Sequence, residues 1–322
     1  MHFESKLLTA EQLDYKQYTS LQKIAYKEVL ENNKSQDTFM TPQYYQWKYH
    51  GPWKQARIAV VLQEDRYIAC NAMIHMRIQQ GPHIRDAWQS CDTATHPDAR
   101  GKGHFLRCLH LLQNEGLEQS DSFFGFPNQN SIRGFQKIGW TANSTMYMFV
   151  KPCLFGFKQK KVSIEQDFEA LSSFLQTQNR PQTHILLTAK YLQWRYKQKP
   201  DATYSCFVYK SQDQILGFAI VRSAQVMGWN TVMVMDIQGR KEIKKKLLSH
   251  VAAWGRAQRK ALVLRMQNTF ALLNETLHGN VMIPRFLMPK KQILMGEIHG
   301  HEHTDAFANE PWEVQLGDWD VF

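Results

Sequence analysis

The feature that most restricts the fold of this 322-residue chain is an internal repeat. Thr188-Ala189-Lys190-Tyr191-Leu192-Gln193-Trp194-Arg195-Tyr196 reproduces Thr41-Pro42-Gln43-Tyr44-Tyr45-Gln46-Trp47-Lys48-Tyr49 with five identities in nine, 147 positions later. An offset near domain size implies two copies of one fold in tandem. Thr41 and Pro42 open the first segment as a helix, a capping residue followed by proline at the first helical position. Its tyrosines and tryptophan read as the aromatic packing of a short helix. Two strands around a polar turn follow each copy. They run from Arg57 to Leu62 and Tyr67 to Met76, then from Tyr204 to Tyr209 and Ile215 to Ser223.

The length suffices for two cores, and 43% hydrophobic with 21% charged residues is a globular composition. No apolar run approaches the roughly 20 residues of a membrane span, and the first residues lack a signal-peptide pattern, so the expected address is the cytoplasm. Five scattered cysteines show no metal spacing and are expected as reduced, mostly buried thiols. A formal charge of +10 implies an anionic partner. Coenzyme A, a nucleotide-linked sugar and a nucleic acid all satisfy it.

The chemistry concentrates between Trp88 and Trp140. A strand from Ala87 to Thr95 leads through His96 into Arg100-Gly101-Lys102-Gly103-His104, and a helix follows with Phe105, Leu109 and Leu112 on one face. A glycine-bearing loop at a helix N-terminus presents unpaired backbone N–H groups and partial positive charge, a receptor for phosphate or pyrophosphate. Gly101 and Gly103 admit close approach, and Arg100 and Lys102 add charge. Ser122 to Phe126 reads as a strand, Pro127 to Ser131 as a turn and helix start, Gly139 as the helix stop, and Trp140 as the opening of a strand through Phe149. Asp92, three residues before Thr95, is a candidate base for an attacking amine, with His96 as the alternative.

The order strand, phosphate loop, helix, strand, short helix, strand resembles the core of the GNAT superfamily of acyl-coenzyme A dependent N-acyltransferases. Arg100-Gly101-Lys102-Gly103-His104-Phe105 is similar to that family's pyrophosphate loop, R/Q-x-x-G-x-G/A, with Phe105 in place of the usual small residue. Asn128, Ser131, Phe135, Lys137, Gly139 and Trp140 match N-x-x-A/S-x-x-x-Y-x-K-x-G-F, with Phe135 where many members carry a tyrosine that protonates the leaving thiolate. The resemblance implies an α+β or α/β fold of two tandem GNAT-like domains, each a mixed, mostly antiparallel sheet flanked by helices. Residues 1–150 form the catalytic domain, 151–162 a linker and 163–322 a degenerate copy, whose loop Gln238-Gly239-Arg240-Lys241 has one glycine. Acetyl-coenzyme A or another acyl-coenzyme A is the implied co-substrate. It lies between the strands ending near Thr95 and Phe126 and is contacted by Ala94, Thr95, Arg100, Gly101, Lys102, Gly103, His104, Asn128 and Phe135, with an Ala94 amide facing the oxyanion and Asp92 as base.

The acceptor expected is a small amine, first an amino sugar of a cell-surface polysaccharide pathway, in nucleotide-linked form. Two other classes stay open. One is a Fem-type transferase taking an amino acid from charged transfer RNA, and the other is a binding module for acyl-coenzyme A or a nucleotide. Further along, the helix from Lys241 is strongly basic and reads as a solvated face. His299-Gly300-His301-Glu302-His303 is a histidine-rich loop with no second ligand cluster, so no metal is expected. The acidic, aromatic tail from Glu310 to Phe322 is too apolar to be free and is expected to pack on the body or at a subunit contact.

Overall fold

The polar turns between the repeated strand pairs close in the same way. Glu64 and Asp65 have φ of 50° and 62°, and Gln212 and Asp213 repeat both values. A left-handed residue pair matches the twist of the two strands it joins, which is why a hairpin forms at each site. The computed structural model describes residues 3–27, 40–116, 122–178, 180–226, 228–268, 280–288, 293–298 and 306–319. The chain forms two compact units, one of Met1–Asn143, Gln198–Asp201 and Leu294–Glu310, the other of Ser144–Lys197, Ala202–Ile293 and Pro311–Phe322.

In the first unit the strands are β1 (Phe3–Thr9), β2 (Arg57–Gln63), β3 (Arg66–Gln80), β4 (His83–Thr95), β5 (Ser122–Gly125) and β6 (Thr141–Thr145). Helices α1 (Tyr15–Ala25) and α2 (Pro42–Tyr49) lie between β1 and β2, α3 (His104–Leu111) between β4 and β5, and α4 (Ile132–Lys137) between β5 and β6 in the chain. Asp14 caps α1 by accepting from the amides of Lys16 and Gln17, and Thr41 caps α2 through Tyr44 N. Gly139, at φ 94°, ends the turn after α4 as its position predicts.

The second unit holds β7 (Tyr147–Pro152), β8 (Val162–Glu165), β9 (His184–Ile185), β10 (Ser205–Ser211), β11 (Gln214–Val226), β12 (Trp229–Gly239), β13 (Leu262–Gln267) and β14 (Val281–Met282). Its helices are α5 (Ser172–Gln176), α6 (Ala189–Leu192) and α7 (Lys241–Ala257). The chain then contributes β15 (Ile293–Ile298) and α8 (Ala306–Asn309). On α7 the predicted apolar face is the buried one, with Leu247, Leu248 and Val251 in the core and Ile243 and Trp254 packed against it.

One sheet runs β1-β2-β3-β4-β5-β15-β6, the other β14-β7-β13-β12-β11-β10-β8. In each, a parallel pair joins the strand before the long helix to the strand after it, β4 with β5 and β12 with β13. The repeat read from sequence is therefore a repeat of sheet topology, and both sheets are mixed, mostly antiparallel and flanked by helices.

The domain boundaries differ from the expected 150 and 163. The stretch from Trp140 to Phe149 is not one strand, because it divides at Met146. Its first half pairs with β15 in one sheet, and its second half, β7, pairs with β13 in the other. β15 in turn pairs with β5. The two halves of the sequence thus exchange strands, which no local pattern encodes. Residues 151–162 are no linker but part of the second unit. Lys151 and Pro152 end β7, and Cys153 and Val162 belong to that unit's core.

All five cysteines are free and buried. Among the described residues no helix is long and apolar enough to cross a membrane. The histidine-rich stretch 299–303 lies outside the described residues. Trp312, Val314, Leu316 and Trp319 of the tail are buried.

Candidate active site

β4 and β5 pair in parallel from Ala87–Ser122 to Ser90–Gly125, and there the pairing ends. β4 continues to Thr95 along β3 alone. On its other side, among the described residues, no strand pairs with Cys91–Thr95, which leaves a split between two parallel strands. His96 N donates to Ile68 O at 2.8 Å. By the alternation of an antiparallel ladder, the polar groups of Ala94, opposite Cys70, also face β3, and those of Thr95 face the split. Ala94, expected to offer its amide to an oxyanion, is therefore bound into the ladder, and Thr95 is the residue with backbone to offer.

Just before this point β4 bulges, since Cys91 and Ala94 face Ala72 and Cys70. Asp92, at φ 50°, forms the bulge. A left-handed non-glycine residue in a strand persists only if its surroundings hold it. Here Asp92 O accepts from Gln22 Nε2 at 2.7 Å, Thr93 O from the Tyr26 hydroxyl at 2.6 Å, and buried Asn71 donates to Thr93 Oγ1 at 2.6 Å. The Asp92 carboxylate lies 2.9 Å from Lys48 Nζ and accepts from the Tyr49 hydroxyl at 2.8 Å, with the Tyr18 hydroxyl 2.6 Å beyond. Lys48 is 2% exposed and Asp92 14%. Burial, reinforced by the Asp92 charge, raises the Tyr49 hydroxyl well above its ordinary value, so it remains a donor. Asp92 is thus ion-paired and hydrogen-bonded at the bulge that it forms.

Lys48, Tyr49, Gln22 and Asn71 carry this arrangement, and sequence reasoning did not place them in the site. The repeat held the signal. Tyr196, the counterpart of Tyr49, donates to Asp236 on β12, beside that strand's own bulge. The identities thus mark a tyrosine that holds the bulge of each copy.

Past Thr95, a short turn at Pro97–Ala99 leads to the glycine loop. Gly101 and Gly103 have φ of 77° and 79°, and nothing lies within 4 Å of where a Cβ would stand on either. Gly103 is the N-cap of α3, so the free amides of the first turn open beside vacant space. The side chains of Arg100 and Lys102 reach the carbonyls of Ala25 and Asp98, each at 3.0 Å. His104 is buried edge-on against the Phe3 ring at 4.8 Å, and burial followed by the charges of Arg107 and Lys102 lowers its pKa.

Asn128 and Phe135 are both held by near neighbours. Asn128 Oδ1 accepts from the amides of Asn130 and Ser131, heading α4. Phe135 is buried, stacked on Trp140 at 4.5 Å and edge-on to Phe105 at 5.5 Å. Phe105, in the place of a small residue, lies against Gly134, where a Cβ would strike its ring. The two departures from the motif therefore compensate each other in one aromatic cluster.

The second unit has the same strands but a different use of the split. β12 ends at Gly239 and α7 begins at Lys241, so the whole loop is Arg240. Gly239 is crowded, with Leu216 O and Gly217 Cα 2.9 and 3.1 Å from where a Cβ would sit. The opening beyond Val234–Arg265, where this parallel pairing ends, is taken by the chain's own tail. Gln315 Oε1 accepts from Ile237 N at 2.9 Å, Asn268 Oδ1 accepts from Val314 N at 2.9 Å, and Arg195 donates to Gly317 O and Trp319 O at 3.1 and 2.6 Å. Asn268 thus holds the tail, the counterpart role that Asn128 lacks. Burial raises Asp236 and Asp318 above the ordinary carboxylate range, and for Asp318 the Asp236 charge adds to it.

A Cβ on Gly317 would fall on the Tyr196 hydroxyl and the Asp236 carboxylate. Gly317→Val is expected to destabilise the second unit by on the order of 3 kcal/mol, from overpacking and a broken buried hydrogen-bond network. Urea unfolding followed by limited proteolysis would show it, and unchanged protection of the second unit would mean that the tail is not structural.

Solved structures share this fold. The chain superposes on a GCN5-related N-acetyltransferase from Anabaena variabilis with a TM-score of 0.65 and 13% identity, covering 92% of this chain and 73% of that one. A probable N-acyltransferase of unknown function from Enterococcus faecalis matches with a TM-score of 0.65 and 10% identity, over 92% and 72% of the two chains. A GCN5-related N-acetyltransferase from Kribbella flavida matches with a TM-score of 0.58 and 11% identity, over 91% and 71%. No family model matches the sequence, and no curated protein is detectably similar to it.

Proposed function

We propose that the chain is an acyl-coenzyme A dependent N-acyltransferase of the cytoplasm with one active site, in the first unit. The observation that carries this reading is the open backbone at Gly101 and Gly103 heading α3 beside an unpaired stretch of β4. Bound acyl-coenzyme A, as co-substrate, would supply an activated thioester. The amides from Gly101 to His104 receive its pyrophosphate, and the Thr95 backbone pairs with its pantetheine arm. The short loop and self-filled split of the second unit support a structural role for that copy.

Asp92 acts in this reading as a positioning residue. With Lys48 and Tyr49 it fixes the bulge, and the bulge fixes the direction of the Thr95 backbone. A neutral amine attacks the thioester carbonyl, the new C–N bond replaces the C–S bond, and the amine's proton passes to water. Phe135 brings no acid, so the sulfur leaves as a thiolate, tolerable for a thiol with a pKa of about 8.5. Positioning of the two substrates supplies most of the rate. The acceptor favoured is an amino sugar, nucleotide-linked, since a chain of net charge +10 attracts its phosphates.

Release of free thiol from acetyl-coenzyme A, measured across amines that include nucleotide-linked amino sugars, tests the activity. Binding without turnover on any amine would favour the non-catalytic module. Charged transfer RNA in place of acetyl-coenzyme A tests the Fem-type alternative. The role of Asp92 is tested by K48M/D92N, which removes both members of the buried pair and strands neither charge. Loosening the bulge is expected to lower kcat/KM by about tenfold to a hundredfold and leave the pH profile of kcat unchanged. Loss of the acidic limb of that profile would make Asp92 the base.

A further inference from the structure

Lys151-Pro152-Cys153-Leu154-Phe155-Gly156-Phe157-Lys158-Gln159-Lys160-Lys161 contains four lysines and no acidic residue. This connection from β7 to β8 is clamped along α7. Phe157 N donates to Ser249 O at 3.1 Å, Gln159 N to His250 Nδ1 at 3.0 Å, and Arg256 Nη1 to Leu154 O at 2.7 Å. Gly156 is pressed so closely on Ala252 and Ala253 that any side chain there would overlap their backbone. The clamp has a cost in solvation. It holds Leu154, Phe155 and Phe157 outward at 68%, 58% and 70% exposure, so three large apolar side chains project from one short turn.

Cations surround them. Lys158, Lys160, Lys161 and Arg256 are exposed, and among the described residues no carboxylate pairs with any of the four. Large apolar groups projecting beside like-signed basic residues are the composition of a surface that enters the boundary of an anionic bilayer. We propose that this face of the second unit docks on the surface of an anionic membrane. Leu154, Phe155 and Phe157 enter the headgroup region, and Lys158, Lys160, Lys161 and Arg256 meet the lipid phosphates.

Two other occupants fit less well. A second copy of the chain would set the same four cations against themselves across a two-fold contact. Single-stranded nucleic acid would use the charges and stack on the phenylalanines, but its bases lie along a groove lined by aromatic faces and gain nothing from a projecting leucine. A membrane uses all seven groups. The inference does not depend on the acyltransferase reading.

Sedimentation of the full chain with vesicles tests it, using pure phosphatidylcholine and an equal mixture with phosphatidylglycerol at about 0.15 M salt. Binding is expected with the anionic vesicles and not with the neutral ones. L154S/F155S/F157S should weaken it at least about tenfold. K158Q/K160Q should weaken it about fivefold for each charge removed. These side chains are exposed, so thermal unfolding of both variants should match the parent. Absence of binding, equal binding to both vesicles, or binding that survives the triple substitution would overturn the proposal. So would a dimer in light scattering that the triple substitution dissolves, or displacement of the protein from vesicles by an oligonucleotide whose own binding needs Phe155 and Phe157.

Discussion

Gly103→Trp is expected to abolish the rise in unfolding temperature that acetyl-coenzyme A or coenzyme A produces in the parent chain. A ligand bound only by the folded state at a hundred times its Kd stabilises by about 2.7 kcal/mol, which for a unit of this size raises Tm by roughly 5 °C or more. Nothing lies within 4 Å of a Cβ on Gly103, so the side chain would leave the backbone without a clash and the indole would occupy the loop's approach. Backbone strain is the confounding effect, because φ is 79° and a side chain costs about 1–2 kcal/mol in that region. Gly81 provides the control. It has φ of 55°, the same empty surroundings, and a place in the turn between β3 and β4. Gly81→Trp should carry similar strain and keep the ligand response. A response retained in Gly103→Trp would move the ligand elsewhere. No response in the parent at saturating coenzyme would end the coenzyme reading and leave transfer RNA and nucleotide sugars to be tried.

The fragment 1–150, the first domain as a sequence reader would cut it, is expected not to fold. It lacks β15, which lies between β5 and β6 in the sheet, so both strands would present unpaired edges next to the proposed site. It also carries β7 without β13, leaving Met148 and Phe149, buried in the intact chain, without cover. Expressed alone it should aggregate, show no cooperative unfolding and bind no coenzyme. Expressed together with 151–322, the two pieces should associate and regain cooperative unfolding. A soluble fragment 1–150 with a sharp unfolding transition would mean that the strand exchange is dispensable.

The two experiments fail separately. Coenzyme binding depends on one loop in one unit, and folding of the halves depends on strand pairing that the loop does not touch. A chain that binds coenzyme, and whose halves also fold apart, would keep the proposed function and lose the account of its architecture.

Sequence alone determined what is local or periodic. The hairpins follow from polar turns between apolar runs, the start of α2 from Thr41, the helix stop from Gly139, the apolar face of α7 from its spacing, and the glycine loop heading α3 from Gly101 and Gly103. The repeat of Tyr49 in Tyr196 gave the tandem architecture, because two copies of one fold keep the same structural tyrosine. Tertiary structure decided what depends on residues far apart in the chain. Asp92 and Lys48, 44 positions apart, meet only when α2 packs over the bulge. Asn128 and Phe135 match a motif in spacing, yet their partners, a local turn and the Phe105 ring, set where they point. The tail in the second unit's split is held by the side chains of Gln315, Asn268 and Arg195 on backbone distant in the chain, and the exchange of β7 and β15 pairs backbone with backbone. Every residue carries the same amide donor and carbonyl acceptor, so a sequence holds almost no record of which distant strand will receive them.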